Sequence, residues 1–179
     1  MSLTDPIPAS VMRRPLDWFA AEHQRHRLFC HVLSDMASAD SVDQARLAAA
    51  LDFLRVDMAQ HVVDEEQDLF PLLCRRALPE DEIDRVLGLL SAEHKADAAR
   101  AREVRAHLER CLAARRAPGS DARARQALRA FAAQELQHLA VENAIVLPIA
   151  RLRLTARDLR EMGERLAARR GIVLEPDPA

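Results

Sequence analysis

The sequence predicts an all-α protein: an up-down antiparallel four-helix bundle followed by a short fifth C-terminal helix. Three observations carry that expectation. Among 179 residues there are four Gly and no Tyr, while the strong helix formers Ala, Leu, Arg and Glu dominate. Apolar residues recur at helical spacing through long stretches. The breaks between those stretches, built from Pro, Gly, Ser and Asp, are few and far apart. With 49% of residues hydrophobic, one domain of this length can bury a sizeable core.

Residues 1–14 contain prolines and little periodicity, which reads as a poorly ordered lead-in. Pro15 suits the first turn of a helix. Phe19, Leu28, Phe29, Val32, Leu33 and Met36 then mark the first helix, which should fade in Ser38-Ala39-Asp40. Ser41 followed by Gln44 reads as a capping box opening a second helix. Its stripe of Leu47, Leu51, Leu54 and Met58 should end or kink between Pro71 and Pro79. Pro79 with Glu80, Asp81 and Glu82 starts a third helix, proline in the first turn and acids at the positive dipole end. That helix is expected to reach Arg115. Ala117-Pro118-Gly119-Ser120 is the clearest break, with Ser120 expected to cap a fourth helix through Leu128, Phe131 and Leu136 to Arg153. Thr155 with Asp158 opens the fifth, which stops before Gly171. Leu159, Met162 and Leu166 make it amphipathic, suited to covering one end of the bundle or to a homodimer contact. The bundle thus spans 15–153, and 154–179 holds the last helix and a loose Pro/Asp-rich tail.

A formal net charge of -2 gives no field favouring nucleic acid or an anionic membrane as partner. The pairs Arg75-Arg76, Arg115-Arg116 and Arg169-Arg170 read as solvated helix faces. Residues 1–12 lack the pattern of a signal peptide, and no apolar run approaches the ~20 residues that span a bilayer. A cytoplasmic location without membrane attachment is expected. Cys30, Cys74 and Cys111 are far apart and form no Cys-x-x-Cys, so they read as buried reduced thiols.

The chemistry lies in a repeat. His61 to Pro71 and His138 to Pro148 both read His-x-x-x-Glu, then five residues, then Pro. Each is preceded, one helix earlier, by a Glu-His pair, Glu22-His23 and Glu93-His94. Residues four apart share a helix face, so His61 with Glu65, and His138 with Glu142, aim at common points. One such pair alone is usually a surface contact worth a few tenths of a kcal/mol. The heights argue otherwise. At ~1.5 Å per residue, His23 and His61 lie ~25 and ~30 Å from the turn near residue 40. His94 and His138 lie ~36 and ~30 Å from the turn near residue 118. All six side chains can therefore meet near the middle of one bundle as ligands of a dinuclear metal site: His23, His61, Glu65, His94, His138 and Glu142. Imidazoles and carboxylates suit divalent iron or manganese, and also zinc.

Neighbouring residues separate from this set. Asp64 is close to His61 in sequence, but the repeat pairs Glu65, not Asp64, with Glu142. Glu66 aligns with Asn143 and reads as a hydrogen-bond partner of a ligand rather than a ligand. His26, one turn from His23, and Asp97 are outside candidates. His31 and His107 have no counterpart in the repeat, and His107 reads as exposed. Glu22 and Glu93 fall on a different face from the adjacent histidines and read as surface residues. Pro71 and Pro148 read as bending or ending helices two and four.

These residues resemble the hemerythrin-like, or HHE cation-binding, family, bacterial type. The match is His23; His61 with Glu65; His94; and His138 with Glu142. The stretches from Glu65 to Pro71 and from Glu142 to Pro148 are similar too. The resemblance implies a four-helix up-down bundle holding two iron ions in a non-haem centre. Oxygen-carrying members have a second His one turn beyond the third-helix ligand, where this chain has Ala98, and His-x-x-x-x-Asp where it has His-x-x-x-Glu. The Glu-x-x-His pairs of ferritin-like proteins are missing at these positions, and the lack of Tyr excludes a tyrosyl-radical mechanism. The expected function is a di-iron protein that binds or senses a small ligand, namely dioxygen, nitric oxide or peroxide, or that binds iron itself. The alternatives are a di-iron enzyme (peroxidase, oxidase or iron-centre repair factor) and a metal-free helical interaction module.

Overall fold

A computed structural model of the chain describes residues 2–174. Within them lie five long helices and no strand: α1 (Pro15–Ser38), α2 (residues 44–76), α3 (Ile83–Ala114), α4 (residues 122–153) and α5 (Ala156–Arg169). Helices α1 to α4 form the up-down bundle, each packed on two neighbours: α1 on α4 and α2, α3 on α2 and α4. Short connections force this antiparallel arrangement. No helix among the described residues is long and apolar enough to cross a membrane.

Two caps differ from expectation. Asp43, not Ser41, caps α2, its carboxylate accepting the Arg46 N–H at 3.0 Å. Asp121, not Ser120, caps α4, accepting the Arg123 N–H at 3.0 Å. Ser and Asp cap about equally well, so position decides, and Ser120 is taken up in the 3-10 turn Pro118–Ser120. The start of α3 is also split. Pro79–Asp81 is a separate 3-10 turn, and Glu82 at φ 47 breaks it from the helix proper. Asp81 accepts two 2.8 Å bonds from Arg153, which pins this corner to the end of α4. The Thr155–Asp158 capping box of α5 forms as expected.

Neither Pro71 nor Pro148 ends its helix. Each follows a five-residue π turn, Glu65–Leu69 in α2 and Glu142–Val146 in α4, and sits in the first turn of the α-helical segment beyond it. Proline lacks an N–H and crowds the carbonyl four residues back. A widened turn just before the ring accommodates both defects and lets the helix continue. Both π turns begin at the glutamate of the repeat, so the fixed spacing from Glu to Pro spells a local backbone shape as well as a side-chain pattern.

The core is divided. One apolar cluster, around Phe29, Leu33, Leu51, Leu108 and Phe131, fills the end nearest the 39–43 and 115–121 connections. A second, around Phe19, Leu69, Leu73, Leu90 and Leu147, fills the other end. Each large side chain buried in them contributes about 1.5–3 kcal/mol. A polar layer lies between, at the level of His23 on α1.

The second cluster is closed by α5 and by the lead-in. Residues expected to be poorly ordered are packed: Ala9–Arg13 form a 3-10 turn whose Met12 is buried in this cluster, and Leu3 is buried against the first cluster. Contact is close enough that a Cβ on Gly163 of α5 would lie 2.4 Å from the Met12 carbonyl oxygen. The fifth helix lies against α1 and α2 along the half of the bundle that holds this cluster. The tail beyond Leu174, expected to be loose, lies outside the described residues.

Candidate metal centre

The polar layer brings all six sequence-predicted residues together. His23 comes from α1, His61 and Glu65 from α2, His94 from α3, and His138 and Glu142 from α4. Glu65 and Glu142 face each other across the bundle axis and are fully buried, as is His23. The Glu65 carboxylate lies 3.4 Å from His61 Nε2 through Oε1 and 3.3 Å from His94 Nε2 through Oε2. The Glu142 carboxylate lies 3.0 Å from His138 Nε2 through Oε1 and 3.4 Å from His23 Nε2 through Oε2.

Two overlapping groups result. His23, His61, Glu65 and Glu142 form one; Glu65, His94, His138 and Glu142 form the other. In each, the candidate ligand atoms lie within 4.8 Å of one another. Both glutamates belong to both groups, one oxygen facing each way, as two bridging carboxylates would. The buried His23 Nε2, His61 Nε2 and all four oxygens of Glu65 and Glu142 have no hydrogen-bond partner among the described residues. Orphaned polar atoms at this depth cost about 1–3 kcal/mol each. A pair of divalent cations satisfies all of them at once, so the donor set fits a binuclear metal site.

The outer faces of the imidazoles are held by a closed ring of contacts. Glu22 of α1 accepts from His61 Nδ1 of α2 at 3.0 Å, and Glu66 of α2 from His94 Nδ1 of α3 at 2.7 Å. Glu93 of α3 accepts from His138 Nδ1 of α4 at 2.8 Å. The Asn143 amide of α4 lies 2.9 Å from His23 Nδ1 of α1 and donates to the Leu139 carbonyl at 2.6 Å. Each helix thus orients the histidine of the next, using the residue beside its own ligand. The three carboxylates accept from the Nδ1–H of His61, His94 and His138 and so leave Nε2 of those rings to face the metal. Glu66 has the role expected of it. Glu22 and Glu93 do not read correctly from sequence: Glu22 is buried and Glu93 is half-buried against His138. The signal that could have found them is the repeat itself, which places a polar residue beside a ligand on every helix.

The remaining candidates fall outside the two groups. His26 is buried, but its Nδ1 is bonded to Glu135 at 2.7 Å and its ring packs 4.4 Å from that of His61. Asp97 is paired with Arg100 at 2.6 Å, and His31 is exposed. His107, expected to be exposed, is half-buried with Nε2 bonded to the Pro118 carbonyl at 2.8 Å. Asp64 is buried and paired with Arg169 and Arg170, so that arginine pair is not a solvated face. Cys30 and Cys111 are buried as expected; Cys74 is exposed.

Charge in the site is strongly coupled. Burial opposes protonation of His61, but the Glu65 charge and the Glu22 hydrogen bond outweigh it and push its pKa up to about 10. Burial is likewise outweighed at His138, where the Glu142 carboxylate 3.0 Å from its Nε2 pushes it up to about 10. His94 is raised against burial by Glu65 and Glu66. Burial and the Glu65 charge raise the Glu142 carboxyl, whereas His61, His23 and His94 hold Glu65 well below the ordinary range despite its burial. His61, His94 and His138 therefore hold protons that a divalent cation must displace.

A cavity of about 250 Å³ opens beside the site between α2, α3 and α4. Its inner wall is formed by His61, His94 and His138, and its sides by Met58, Val62 and Ala98 together with the charged Asp97, Arg102 and Arg105. The His26–Glu135 pair also lines it.

Among curated proteins, none matches this chain significantly. The model of the hemerythrin HHE cation binding domain does match, over residues 14–169, a region that extends past the four-helix bundle and takes in α5. With six histidine and glutamate side chains converging between four antiparallel helices, the chain belongs to the hemerythrin HHE cation-binding family.

Proposed function

We propose that this protein is a non-haem di-iron protein that binds or senses a small ligand such as dioxygen, nitric oxide or peroxide. The observation that carries the reading is the set of orphaned ligand atoms in two groups sharing two carboxylates. His23 and His61 would hold one ion, His94 and His138 the other, with Glu65 and Glu142 spanning both. Iron bound there supplies electrons and unfilled coordination positions for a small ligand. Six side chains would leave positions on two such ions open to a further ligand, and the adjacent cavity gives a path to them. Met58, Val62 and Ala98 give it an apolar stretch beside the histidines that suits a small uncharged molecule. The outer ring of hydrogen bonds keeps the imidazoles oriented while a ligand enters and leaves.

The test is anaerobic loading with ferrous iron, metal analysis, and an optical spectrum before and after exposure to air or nitric oxide. Two iron ions per chain with new charge-transfer bands on exposure are expected. A spectrum that does not respond to either gas would sink the ligand-binding reading, and a metal-to-protein ratio near zero would favour a metal-free interaction module.

One observation supports a second reading as a di-iron enzyme. The His26–Glu135 pair lies on the cavity wall beside His61, within reach of a molecule in the cavity. Iron-dependent peroxide turnover that falls in Glu135→Gln at unchanged iron content would select it.

A further inference from the structure

The basic face of α5 and of the residues just after it is turned into the bundle. Arg165 bonds Asp68, and Arg169 bonds Asp64 and, at 2.7 Å, Asp68. Arg170 reaches deepest. Its Nη2 donates to Glu22 Oε1 at 2.9 Å and to Asp64 Oδ2 at 2.7 Å, and its guanidinium lies 4.8 Å over the Trp18 ring. Glu22, Asp64 and Asp68 are all buried. Three carboxylates at that depth require cations, and α5 with its flanking arginine supplies them.

One of these contacts leads to the metal centre. Glu22 spends its other oxygen, Oε2, on His61 Nδ1 at 3.0 Å. Arg170, Glu22 and His61 thus form a continuous chain of charge-assisted bonds ending at a candidate ligand. Among the described residues, the other three histidines have no such extension. Glu66 is bonded to Ser91 at 3.0 Å, Asn143 to a backbone carbonyl, and Glu93 is half-exposed. Among the described residues, only the His23/His61 half of the centre is tied to an element outside the bundle.

We propose that α5 and Arg170 form a clamp on that half. Arg170 is a positioning residue that acts through Glu22 on His61, so that docking of α5 and retention of the metal ion held by His23 and His61 are coupled. Without Arg170, Glu22 and Asp64 lose their shared cation. The Glu22 carboxylate then turns toward water, and the His61 ring loses the partner that fixes it. Coupling of this kind is reciprocal: the metal must hold α5 as α5 holds the metal. The inference rests on the binuclear reading above.

The full chain, loaded anaerobically with ferrous iron, tests it through iron content and the rate of iron removal by a ferrous chelator. In Arg170→Leu one of the two ions should leave faster, by about 10–100-fold, while the other keeps its wild-type rate. Arg170→Lys, which restores the positive charge, should recover part of the slow release. Arg76→Leu cuts the Arg76–Asp158 bonds of 2.8 and 2.9 Å at the far end of α5 but leaves Arg170 on Glu22, so it should speed release of the same ion by less than Arg170→Leu does. Iron should slow amide hydrogen exchange across 156–169 in the wild type and not in Arg170→Leu. If Arg170→Leu releases both ions faster, or neither, the clamp is overturned. Should that variant fail to fold, Arg170→Lys decides, since release at the wild-type rate for both ions overturns it equally. A wild-type chain that takes up no ferrous iron removes the binuclear reading itself, which separates that failure from failure of the clamp alone.

Discussion

The Nε2 atoms of His94 and His138 lie 3.0 Å apart, while their Nδ1 atoms are bonded to Glu66 and Glu93. With the outer nitrogens donating, the inner pair presents lone pairs to one spot, which only a proton or a cation can occupy comfortably. Protons and metal therefore compete for the same positions.

That competition fixes a pH dependence. His61 and His138 have pKa values raised to about 10 from an ordinary 6.5. The stability they lend the metal-free chain is fully present below pH 6.5 and is lost as pH rises through about 10. The denaturation midpoint of metal-free protein should fall across that window. Metal affinity should rise over it, with protons released on loading and detected by an indicator dye. A flat midpoint together with proton-neutral loading would contradict the assignment.

Bridging and terminal ligands should behave differently. Glu65→Ala or Glu142→Ala removes an oxygen from both groups, so both ions should be lost. His23→Ala or His94→Ala touches one group, so one ion should stay. Iron per chain after desalting separates the two cases; equal losses in all four variants would argue against shared carboxylates.

Glu93 tests the outer ring. Glu93→Gln keeps the shape but weakens the acceptor for His138 Nδ1. Affinity for one ion should fall by about 10–100-fold, with two ions still bound at saturating metal. An unchanged competition curve against a chelator would return Glu93 to the surface role its sequence position suggests.

Gly163 tests the packing of α5. In an isolated helix Gly→Ala gains up to about 1 kcal/mol. Here the new Cβ would meet the Met12 carbonyl oxygen at 2.4 Å, a backbone atom that cannot swing aside. Gly163→Ala should instead destabilise by about 1–3 kcal/mol in chemical denaturation. A gain in stability would mean that the lead-in does not pack there.

Much of the site was legible because its pattern is local. His61 with Glu65, and His138 with Glu142, are each one helical turn, and a period of ~3.6 residues places each pair on one face whatever the rest of the chain does. The break at Pro118-Gly119 and the Thr155–Asp158 box are local in the same sense. Glu22 and Glu93 were misread because their partners lie 39 and 45 residues away. A residue next to a ligand points about 100° around the helix from it. Whether that direction is solvent or a neighbouring helix depends on how each helix is rotated in the bundle.

Pro71 and Pro148 show the same limit in the backbone. The sequence marks where the hydrogen-bond ladder must fail, but not whether the chain turns away or widens and continues. Packing of Leu69, Phe70 and Leu147 in the second apolar cluster favours continuation. Arg169 and Arg170 were likewise ambiguous, since an amphipathic helix does not state which carboxylates it will meet. By itself, then, the sequence determined the helices, their antiparallel order and the six residues that share one level, because these follow from helical period and segment length. Only the tertiary structure decided the ring of outer hydrogen bonds and the burial of Asp64 and Glu22 under Arg170, because these depend on helix rotation and on where the fifth helix docks.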